Sequence, residues 1–434
     1  MSSNAQPPYL EINFTGEQLA PGLIFFAPQI GIDAESYIPD KAPFIMTDTG
    51  DLVWSGPVTQ MPRLPFYFRI PRLRHIVIYN SSYDQTGIIC PNFNLTLPPG
   101  TDVPCQADVH ESFITKDNTI IVTAYNTTKA DLRDIGGPED GWVLDPLVFE
   151  VDIHTSEILF SWSPLAHVPI TDSRLPLDGA GKNTSNPFDF FHTNSVRPFE
   201  GNYLINSRST WKTYLVDKDG NILWQVDRET GGDFGSLPEG GRFSWEHFAR
   251  LERTSDTQLQ LRYFANNDEN PTTANASVGL ELLLTVPPTP DHPPQLLKNL
   301  SDPLFPVVSL AMGSYDILSN GNHFLGYGIQ PVMKEFGPHI PQGDDVRWSA
   351  RYNFESGAAS YRTYKTSWRA TPSSKPDLKI TKSDHSSHTS SGLHGTECGS
   401  SAIRGYVSWN GATDVKYYVV YTGTRTQSIP GGRS

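Results

Sequence analysis

Short apolar segments separated by turn residues recur along the whole chain. In one recurring form, a turn is followed by two apolar residues and an aromatic residue, as at Asp48–Trp54, His154–Phe160 and Asp217–Trp224. Asp, Asn, Thr and Gly suit such turns because they tolerate the backbone angles and can hydrogen bond within the turn. The pattern predicts short antiparallel strands joined by tight turns.

A second recurring form is a turn that leads into an apolar strand. Its members begin near residues 74, 117, 201, 257, 321 and 403. These intervals are wider than those of compact propeller repeats and leave room for inserted loops. We predict an all-β fold, a six-bladed β-propeller with long inserted loops. A two-sheet sandwich, or two β domains, is the alternative architecture.

The start and end of this pattern give the expected domain boundaries. Residues 1–16 are expected to be an N-terminal tail, 17–425 a single propeller domain and 426–434 a C-terminal tail. The 36 Pro and 35 Gly residues are spread along the chain, as many short strands and turns require.

The charge of the chain narrows the choice of partners. The net charge is −14 at pH 7, whereas nucleic acids and anionic membrane surfaces attract clustered Lys and Arg. No apolar run approaches the roughly 20 residues that a membrane span needs. We therefore expect no nucleic-acid partner and no membrane span.

Seven Asn-x-Ser/Thr triplets indicate passage through a secretory compartment. Because Met1–Asn4 is polar and shows no signal peptide, we expect a leader to have been removed from a secreted or secretory-pathway protein. Cys90 and Cys105 flank a segment rich in Pro and Asn and are the expected disulfide, which leaves Cys398 as an inert thiol. The expected glycosylation sites are Asn13, Asn80, Asn94, Asn126, Asn183, Asn275 and Asn299.

Three histidines hold the same place relative to the repeat. His110, His192 and His247 each precede an apolar strand of the second form. Equivalent positions of successive propeller blades surround one axis, so we expect these side chains to converge on a central channel. Structural hydrogen bonds between blades and a three-histidine zinc site are the alternatives. We predict no metal, and no Gly-x-Ser-x-Gly motif indicates a serine hydrolase.

Arginines and aromatic residues complete the candidate site. Arg208 and Arg250 end or enter apolar strands, where a guanidinium can hold an oxyanion with two hydrogen bonds. Tyr361 adds a phenol, while Arg362 and Lys365 are expected to form surface ion pairs. The candidate pocket-lining residues are Trp245, Phe248, Phe264, Tyr327, Trp348 and Trp409.

Seven longer segments are specific in combination. They are Ala20–Pro28, Leu52–Pro57, Phe191–Val196, Phe243–Arg250, Gly326–Pro331, Ser360–Lys365 and Val407–Thr413. Together they resemble the arylsulfotransferase family, in its fungal branch, and the resemblance covers most of the chain. It implies a six-bladed propeller in which a channel histidine takes a sulfuryl group from an aryl sulfate and passes it to a phenol. By motif, His192, His247 and Arg208 or Arg250 match the functional positions.

One segment departs from the family pattern. The family usually has Gln-His-Asp-Ala-Arg where this chain has Glu246-His247-Phe248-Ala249-Arg250. If Glu246 faces the site, its negative charge opposes sulfate binding, and Phe248 favours an apolar ligand. Some fungal proteins that resemble this family in fold are hetero-Diels–Alderases, which join a tropolone-derived o-quinone methide to a humulene-type sesquiterpene.

These departures favour a cofactor-independent cyclase of the hetero-Diels–Alder type, acting on small aromatic and terpenoid substrates. Its expected catalytic residues are His192, His247, Arg208, Arg250 and Tyr361, with His110 and the six aromatic residues in substrate binding. An aryl sulfotransferase is the alternative, and a non-catalytic binding propeller is the third possibility.

Overall fold

The computed structural model describes most of the chain outside three long gaps. The described residues are 3, 5–30, 40–56, 58, 107–155, 157–267, 276–338, 345–352, 357–382, 403–419 and 421, together with the backbone of strands at 66–69 and 77–80.

Alternating turns and short apolar segments produce strands throughout this part of the chain. The strands are β1 (Glu11–Phe14), β2 (Leu23–Phe26), β3 (Gln29–Ile30), β4 (Phe44–Met46), β5 (Leu52–Ser55), β6 (Phe66–Arg69), β7 (Val77–Asn80), β8 (Ala107–Ile114), β9 (Thr119–Ala130), β10 (Gly141–Asp152), β11 (Ile158–Trp162), β12 (Thr193–Phe199), β13 (Asn202–Ser207), β14 (Lys212–Val216), β15 (Ile222–Asp227), β16 (His247–Ser255), β17 (Gln258–Ala265), β18 (Val278–Thr285), β19 (Gln295–Leu300), β20 (Ser314–Ile317), β21 (His323–Gly326), β22 (Val332–Phe336), β23 (Val346–Arg351), β24 (Ala358–Ala359), β25 (Tyr364–Thr366), β26 (Asp377–Lys382) and β27 (Ile403–Ser408). The helical turns within the described residues are short 3-10 segments at Arg133–Ile135, Pro164–Ala166, Ile170–Asp172 and Gly232–Phe234.

Five antiparallel sheets of four or five strands make up the body of the fold. Three of them follow chain order: β8 to β11, β12 to β15 and β16 to β19. The other two combine distant segments, since β1 extends the sheet of β20 to β23, and β25 extends the sheet of β2, β4 and β5. The expected all-β class is confirmed. Five separate sheets are consistent with a propeller-like fold, and the number of six blades stays a prediction.

The expected N-terminal tail contains a strand of this body. Strand β1 pairs with β23 in the register Glu11↔Arg351 to Phe14↔Trp348. Glu11 Oε2 lies 2.6 Å from Arg351 Nε, and the preceding Leu10 is buried in the core. A partner some 340 positions along the sequence supplies both the hydrogen bonds and the apolar contact. The expected C-terminal tail, 426–434, lies outside the described residues.

The predicted hairpin turns form as their local chemistry suggests. At the turn between β14 and β15, the Asp217 backbone N–H donates to Asn221 O at 2.9 Å, and the Asp217 carboxylate accepts from the backbone N–H groups of Asp219 and Asn221. Gly220 takes a left-handed conformation with φ +92°, which glycine adopts without steric cost. Such turns join consecutive strands of one sheet, such as β14 and β15.

The edge strands β8, β12, β16, β20 and β25 bring the sheets together. Strand β12 lies against both β8 and β16, and β20 lies against β16 and β25. Apolar clusters fill the space between adjacent sheets. One contains Phe191, Tyr214 and Val196, and another contains Phe25, Phe248 and Tyr364. These contacts bring His110 of β8 against His192, which precedes β12.

The predicted modification sites lie partly outside the described residues. Cys90, Cys105, Cys398, Asn94 and Asn275 lie outside them, and Asn80 is described only as backbone in β7. Asn13 and Asn183 are exposed, Asn126 is half-buried in β9, and Asn299 donates its side-chain amide to Gly240 O at 2.8 Å. Glycosylation, the disulfide and secretion stay predictions. Within the described part of the chain, no helix is long and apolar enough to cross a membrane.

Candidate active site

Two histidines from neighbouring sheets face each other at the shared end of their edge strands. His110 lies in β8, and His192 directly precedes β12. Their Nε2 atoms are 3.1 Å apart, and the ring centroids are 4.6 Å apart. Two lone pairs would repel each other at this distance, so one proton lies between the two nitrogens. We call His110 and His192 the histidine dyad.

A carboxylate orients each ring of the histidine dyad. Nδ1 of His110 lies 2.6 Å from Asp108 Oδ2, and Nδ1 of His192 lies 2.5 Å from Asp189 Oδ2. An ionised carboxylate only accepts hydrogen bonds, so each Nδ1 carries a hydrogen and each Nε2 is directed at the other ring. The spacings of two and three residues are visible in the sequence, yet neither aspartate is among the predicted site residues.

Burial and neighbouring charge decide which ring holds the shared proton. Burial lowers the pKa of His192; Asp189 opposes this effect, while the charges of His110 and Arg208 add to it, and the net pKa lies below the ordinary 6.5. Burial raises the pKa of Asp108, but the charge and hydrogen bonds of His110 outweigh it and hold that pKa below its usual range. The lowered pKa favours neutral His192, whose Nε2 then accepts the shared hydrogen.

Arg208 places a positive charge beside the histidine dyad. It follows β13, and its backbone N–H donates to His192 O at 3.0 Å. Its half-buried guanidinium lies 4.7 Å from the centroid of the Trp245 ring. The positive charge of Arg208 contributes to lowering the pKa of both His192 and His247. A cation in this position favours an anionic group next to the neutral imidazole.

Two tyrosines border the histidine dyad. Tyr361 is buried; its hydroxyl donates to His110 O at 3.2 Å, and its ring centroid lies 5.9 Å from that of His110. Tyr125 of β9 lies 6.2 Å from the His110 ring and 6.3 Å from the His192 ring, measured between centroids. Tyr361 therefore fixes the backbone that carries His110.

The third repeat histidine, His247, is bound to the protein through both ring nitrogens. Its Nδ1 lies 2.8 Å from Asn266 Oδ1 and 2.9 Å from Trp245 O, and its Nε2 accepts from the Met312 backbone N–H at 3.2 Å. Burial, followed by the charge of Arg208, lowers the pKa of His247 well below 6.5. A neutral ring with both nitrogens occupied holds Trp245 and Met312 in place, and we assign His247 as a positioning residue.

The two departures from the family pattern are buried and have protein partners of their own. Glu246 is fully buried and accepts from Asn206 Nδ2 at 2.7 Å. Burial raises its pKa to about 8, so the carboxyl is neutral at pH 7 and does not oppose an anion. The buried Phe248 ring lies under the guanidiniums of Arg250 and Arg362, with centroid distances of 3.6 and 5.0 Å. The premise that this segment repels sulfate is therefore not met.

The raised pKa of Glu246 gives a stability prediction. The unfolded chain releases this proton near the ordinary 4.5, whereas the folded chain keeps it to about 8. Between these values the unfolded state binds fewer protons, so this group makes stability fall as pH rises. The free energy of unfolding of Glu246→Gln, measured in urea from pH 5 to 8, is expected to increase relative to wild type over this window.

The lowered pKa values of His192 and His247 have the opposite effect, since they make stability rise with pH. Both histidines are present in both proteins, so their contribution cancels in the difference. Asn206→Ala offers a matched control that removes the hydrogen bond to Glu246 but keeps the carboxyl. A difference between Glu246→Gln and wild type that does not change with pH would contradict the assignment of a buried neutral carboxyl.

The other predicted aromatic residues lie in the core or at its edge. Phe264 and Tyr327 meet edge-on, with centroids 5.5 Å apart, in the same buried cluster as Phe248. Trp348 is buried and donates Nε1 to Asp48 O at 2.9 Å. Trp409 is half-buried after β27 and donates Nε1 to Ser374 O at 2.9 Å. Of the predicted lining residues, the structure brings Trp245 near Arg208 and places these four elsewhere.

The expectation that Arg362 and Lys365 form surface ion pairs is wrong. Arg362 Nη1 lies 2.9 Å from Glu111 Oε1, and Lys365 Nζ lies 2.8 Å from Glu335 Oε2, with all four side chains buried. Each cation is tolerated because a buried carboxylate neutralises it. Arg250 also lies with this buried group, three residues beyond His247 on β16, and not against the histidine dyad.

Metal binding was one alternative for the three histidines. Among the described residues, no group of three or more His, Cys, Asp and Glu side chains is arranged to hold a metal ion. The Nδ1 atoms of the histidine dyad are directed at carboxylates, and both nitrogens of His247 have protein partners.

Comparisons with known proteins place this geometry in a family. A search of curated proteins gives no match. A crystal structure of a protein of unknown function from Bacteroides caccae aligns over 79% of this chain and 98% of its own, with 10% identity and a TM-score of 0.42, and carries no weight at that similarity. The family model described as arylsulfotransferase (ASST) matches residues 74–351. This match spans well over half of the chain, including the histidine dyad, and the chain therefore belongs to the arylsulfotransferase family.

Proposed function

We propose that this chain is an aryl sulfotransferase in which His192 carries the sulfuryl group. The observation behind the proposal is the histidine dyad, whose Nε2 atoms are 3.1 Å apart and whose Nδ1 atoms are each directed at an aspartate. A neutral imidazole is a nucleophile at Nε2, and a protonated neighbour supplies the acid that a phenol leaving group needs. Arg208 adds positive charge where the sulfuryl oxygens gain negative charge.

The reaction proceeds in two balanced halves. First, His192 Nε2 attacks the sulfur of an aryl sulfate; the N–S bond forms, the S–O bond to the aryl group breaks, and the departing phenolate takes the proton of His110. Second, an acceptor phenol gives its proton to His110 while its oxygen attacks the sulfur and the N–S bond breaks. The enzyme returns to its starting state, and no cofactor is consumed.

The same dyad supports a second function, the hetero-Diels–Alder cyclase expected from the sequence. Loss of water from a hydroxybenzyl alcohol to form an o-quinone methide needs a base at the phenol and an acid at the departing hydroxyl. The histidine dyad holds a neutral acceptor and a proton donor 3.1 Å apart, as those two proton transfers require. Orienting both partners of the cycloaddition can contribute roughly 7–11 kcal/mol.

The first test offers the full chain para-nitrophenyl sulfate as donor and 1-naphthol as acceptor. Release of para-nitrophenolate is followed by absorbance, and sulfated naphthol by mass spectrometry. We expect turnover, and we expect a rapidly quenched sample without acceptor to carry one sulfuryl group on the peptide that contains His192.

The alternative outcomes separate the two functions. Formation of a cycloadduct in enantiomeric excess from a hydroxybenzyl alcohol precursor and a humulene-type alkene, without turnover of the sulfate, would favour the cyclase. Turnover of sulfate that leaves the label on His247 would overturn the assignment of His192, because His247 has both nitrogens occupied here.

A further inference from the structure

We infer that the fold holds a second binding site, for an oxyanion carried on a flat aromatic or apolar body, further along the edge strands than the histidine dyad. Arg197 and Arg250 lie at the floor of a cavity of about 1190 Å³, and Arg362 and Glu111 lie directly behind them. This site goes beyond the proposed function and does not depend on it.

Three guanidiniums share one carboxylate at this floor. Glu111 Oε1 lies 2.9 Å from Arg362 Nη1 and 4.0 Å from Arg197 Nη2, and Glu111 Oε2 lies 3.5 Å from Arg250 Nη1. Glu111 is fully buried, and the Arg250 and Arg362 side chains are buried with it. Glu111 is thus closest to Arg362, and an anionic ligand would add a negative charge beside Arg250.

A donor in this cluster remains for a ligand. Arg250 uses Nη1 on Ala249 O at 2.8 Å, while its buried Nη2 atom has no hydrogen-bond partner within the described residues. Burial, followed by the charge of Arg197, lowers the pKa of Arg250 well below its ordinary value. A buried guanidinium donor without an acceptor is costly, and a bound oxyanion supplies the acceptor.

The other basic side chains of the cavity are matched by carboxylates. Arg253 lies 2.5 Å from Glu200, and Arg262 lies 3.0 Å from Glu252. Lys365 is neutralised by Glu335 at 2.8 Å. Asp316 also lines the wall. The exposed Arg369 of the wall lies 4.0 Å from Asp414. Each of these cations has a carboxylate near it, whereas Arg250 keeps a buried donor without an acceptor in the described part of the chain.

Aromatic rings line the way to the floor. The Arg250 guanidinium lies 3.6 Å from the Phe248 ring centroid, and the Arg197 guanidinium lies 4.2 Å from that of Phe113. Tyr364 and Trp368 also line the cavity. Flat apolar surfaces beside guanidiniums suit a ligand with an aromatic body and one oxyanion, such as an aryl carboxylate or an aryl sulfate.

Strand geometry separates this site from the histidine dyad. Arg250 is three residues beyond His247 on β16, and Arg197 is five residues beyond His192 along β12. Arg362 connects the two places, since its Nη1 lies 2.9 Å from Glu111 and its Nη2 donates to His110 O at 3.1 Å. Binding at each place is therefore tested with its own variant, Arg250→Met for the second site and His192→Ala for the histidine dyad.

The test is calorimetric titration of the full chain with benzoate, with benzyl alcohol and inorganic sulfate as matched ligands. We expect saturable benzoate binding, with a Kd on the order of millimolar or lower, and weaker binding of both matched ligands. Arg250→Met is expected to raise the benzoate Kd about 10-fold or more, since it removes a charge-assisted hydrogen bond. Arg253→Met, a cavity arginine already paired with Glu200, is expected to leave the Kd within about two-fold.

Three results would contradict this inference. No benzoate binding by wild type overturns it, as does benzoate binding that is lost in His192→Ala but kept in Arg250→Met. Inorganic sulfate binding as tightly as benzoate overturns the aromatic part of the inference. If Arg250→Met fails to fold, Arg197→Met, at a less buried position, takes its place with the same expected loss. Calorimetry measures binding without turnover, so failure of this site and failure of the proposed sulfuryl transfer can be told apart.

Discussion

The His192→Ala variant is expected to lose activity by about 10²- to 10⁴-fold in kcat. His192 is the neutral member of the histidine dyad, and its Nε2 lies 3.1 Å from the proton donor His110. Removing the imidazole removes the nucleophile of the sulfotransferase and the base of the cyclase alike. The measurement is kcat with para-nitrophenyl sulfate, or with the cyclase substrates if those are turned over.

The matched control for this change is His292→Ala, the same substitution at an exposed histidine in the loop before β19. It is expected to leave kcat unchanged. Circular dichroism and the urea midpoint show whether each variant is folded. A folded His192→Ala protein whose kcat stays within about ten-fold of wild type would remove the histidine dyad from the mechanism.

The Glu111→Gln variant is expected to lower the free energy of unfolding by about 3–5 kcal/mol. Glu111 is fully buried and is the carboxylate that faces Arg197, Arg250 and Arg362. The amide keeps the shape of the side chain but removes the negative charge that faces the buried Arg250 and Arg362 and the half-buried Arg197. Urea denaturation at neutral pH measures the loss.

The control for Glu111→Gln is Glu200→Gln, which breaks the partly exposed pair with Arg253. A surface pair of this kind contributes about 0–1 kcal/mol. The double variant Glu111→Gln with Arg362→Met is expected to be more stable than the sum of the single changes, because it removes charges of both signs together. Equal losses for Glu111→Gln and Glu200→Gln would show that the buried cluster is not balanced by Glu111.

Local chemistry explains which parts of the fold were predictable. The turn at Asp217–Asn221 is closed by its own residues, so its sequence suffices to place the hairpin. The recurring histidines were found for a similar reason, since each stands about ten residues before an apolar strand. That His247 is a positioning residue and not part of the histidine dyad was not predictable. The backbone N–H that binds its Nε2 belongs to Met312, 65 positions further along the chain.

Charged residues show where sequence reasoning fails. Arg362 and Lys365 look like surface residues until Glu111 and Glu335 are brought against them from other sheets. Likewise, Glu246 and Phe248 stand next to His247 in the sequence, but the backbone is irregular there, with φ +59° at Phe248 and a shift of register between His247 and Arg250. Adjacency along the chain therefore did not predict which partners the three side chains have.

The pairing of β25 with β2 constrains how the protein is made. Leu23, Ile24 and Phe25 leave the ribosome early, yet their partners Thr366, Lys365 and Tyr364 are synthesised more than three hundred residues later. An apolar strand without its neighbour is prone to aggregate, and pairings between distant segments form slowly. We expect the three sheets built in chain order to form first during translation, with the first strands shielded by chaperones until the last sheet is assembled.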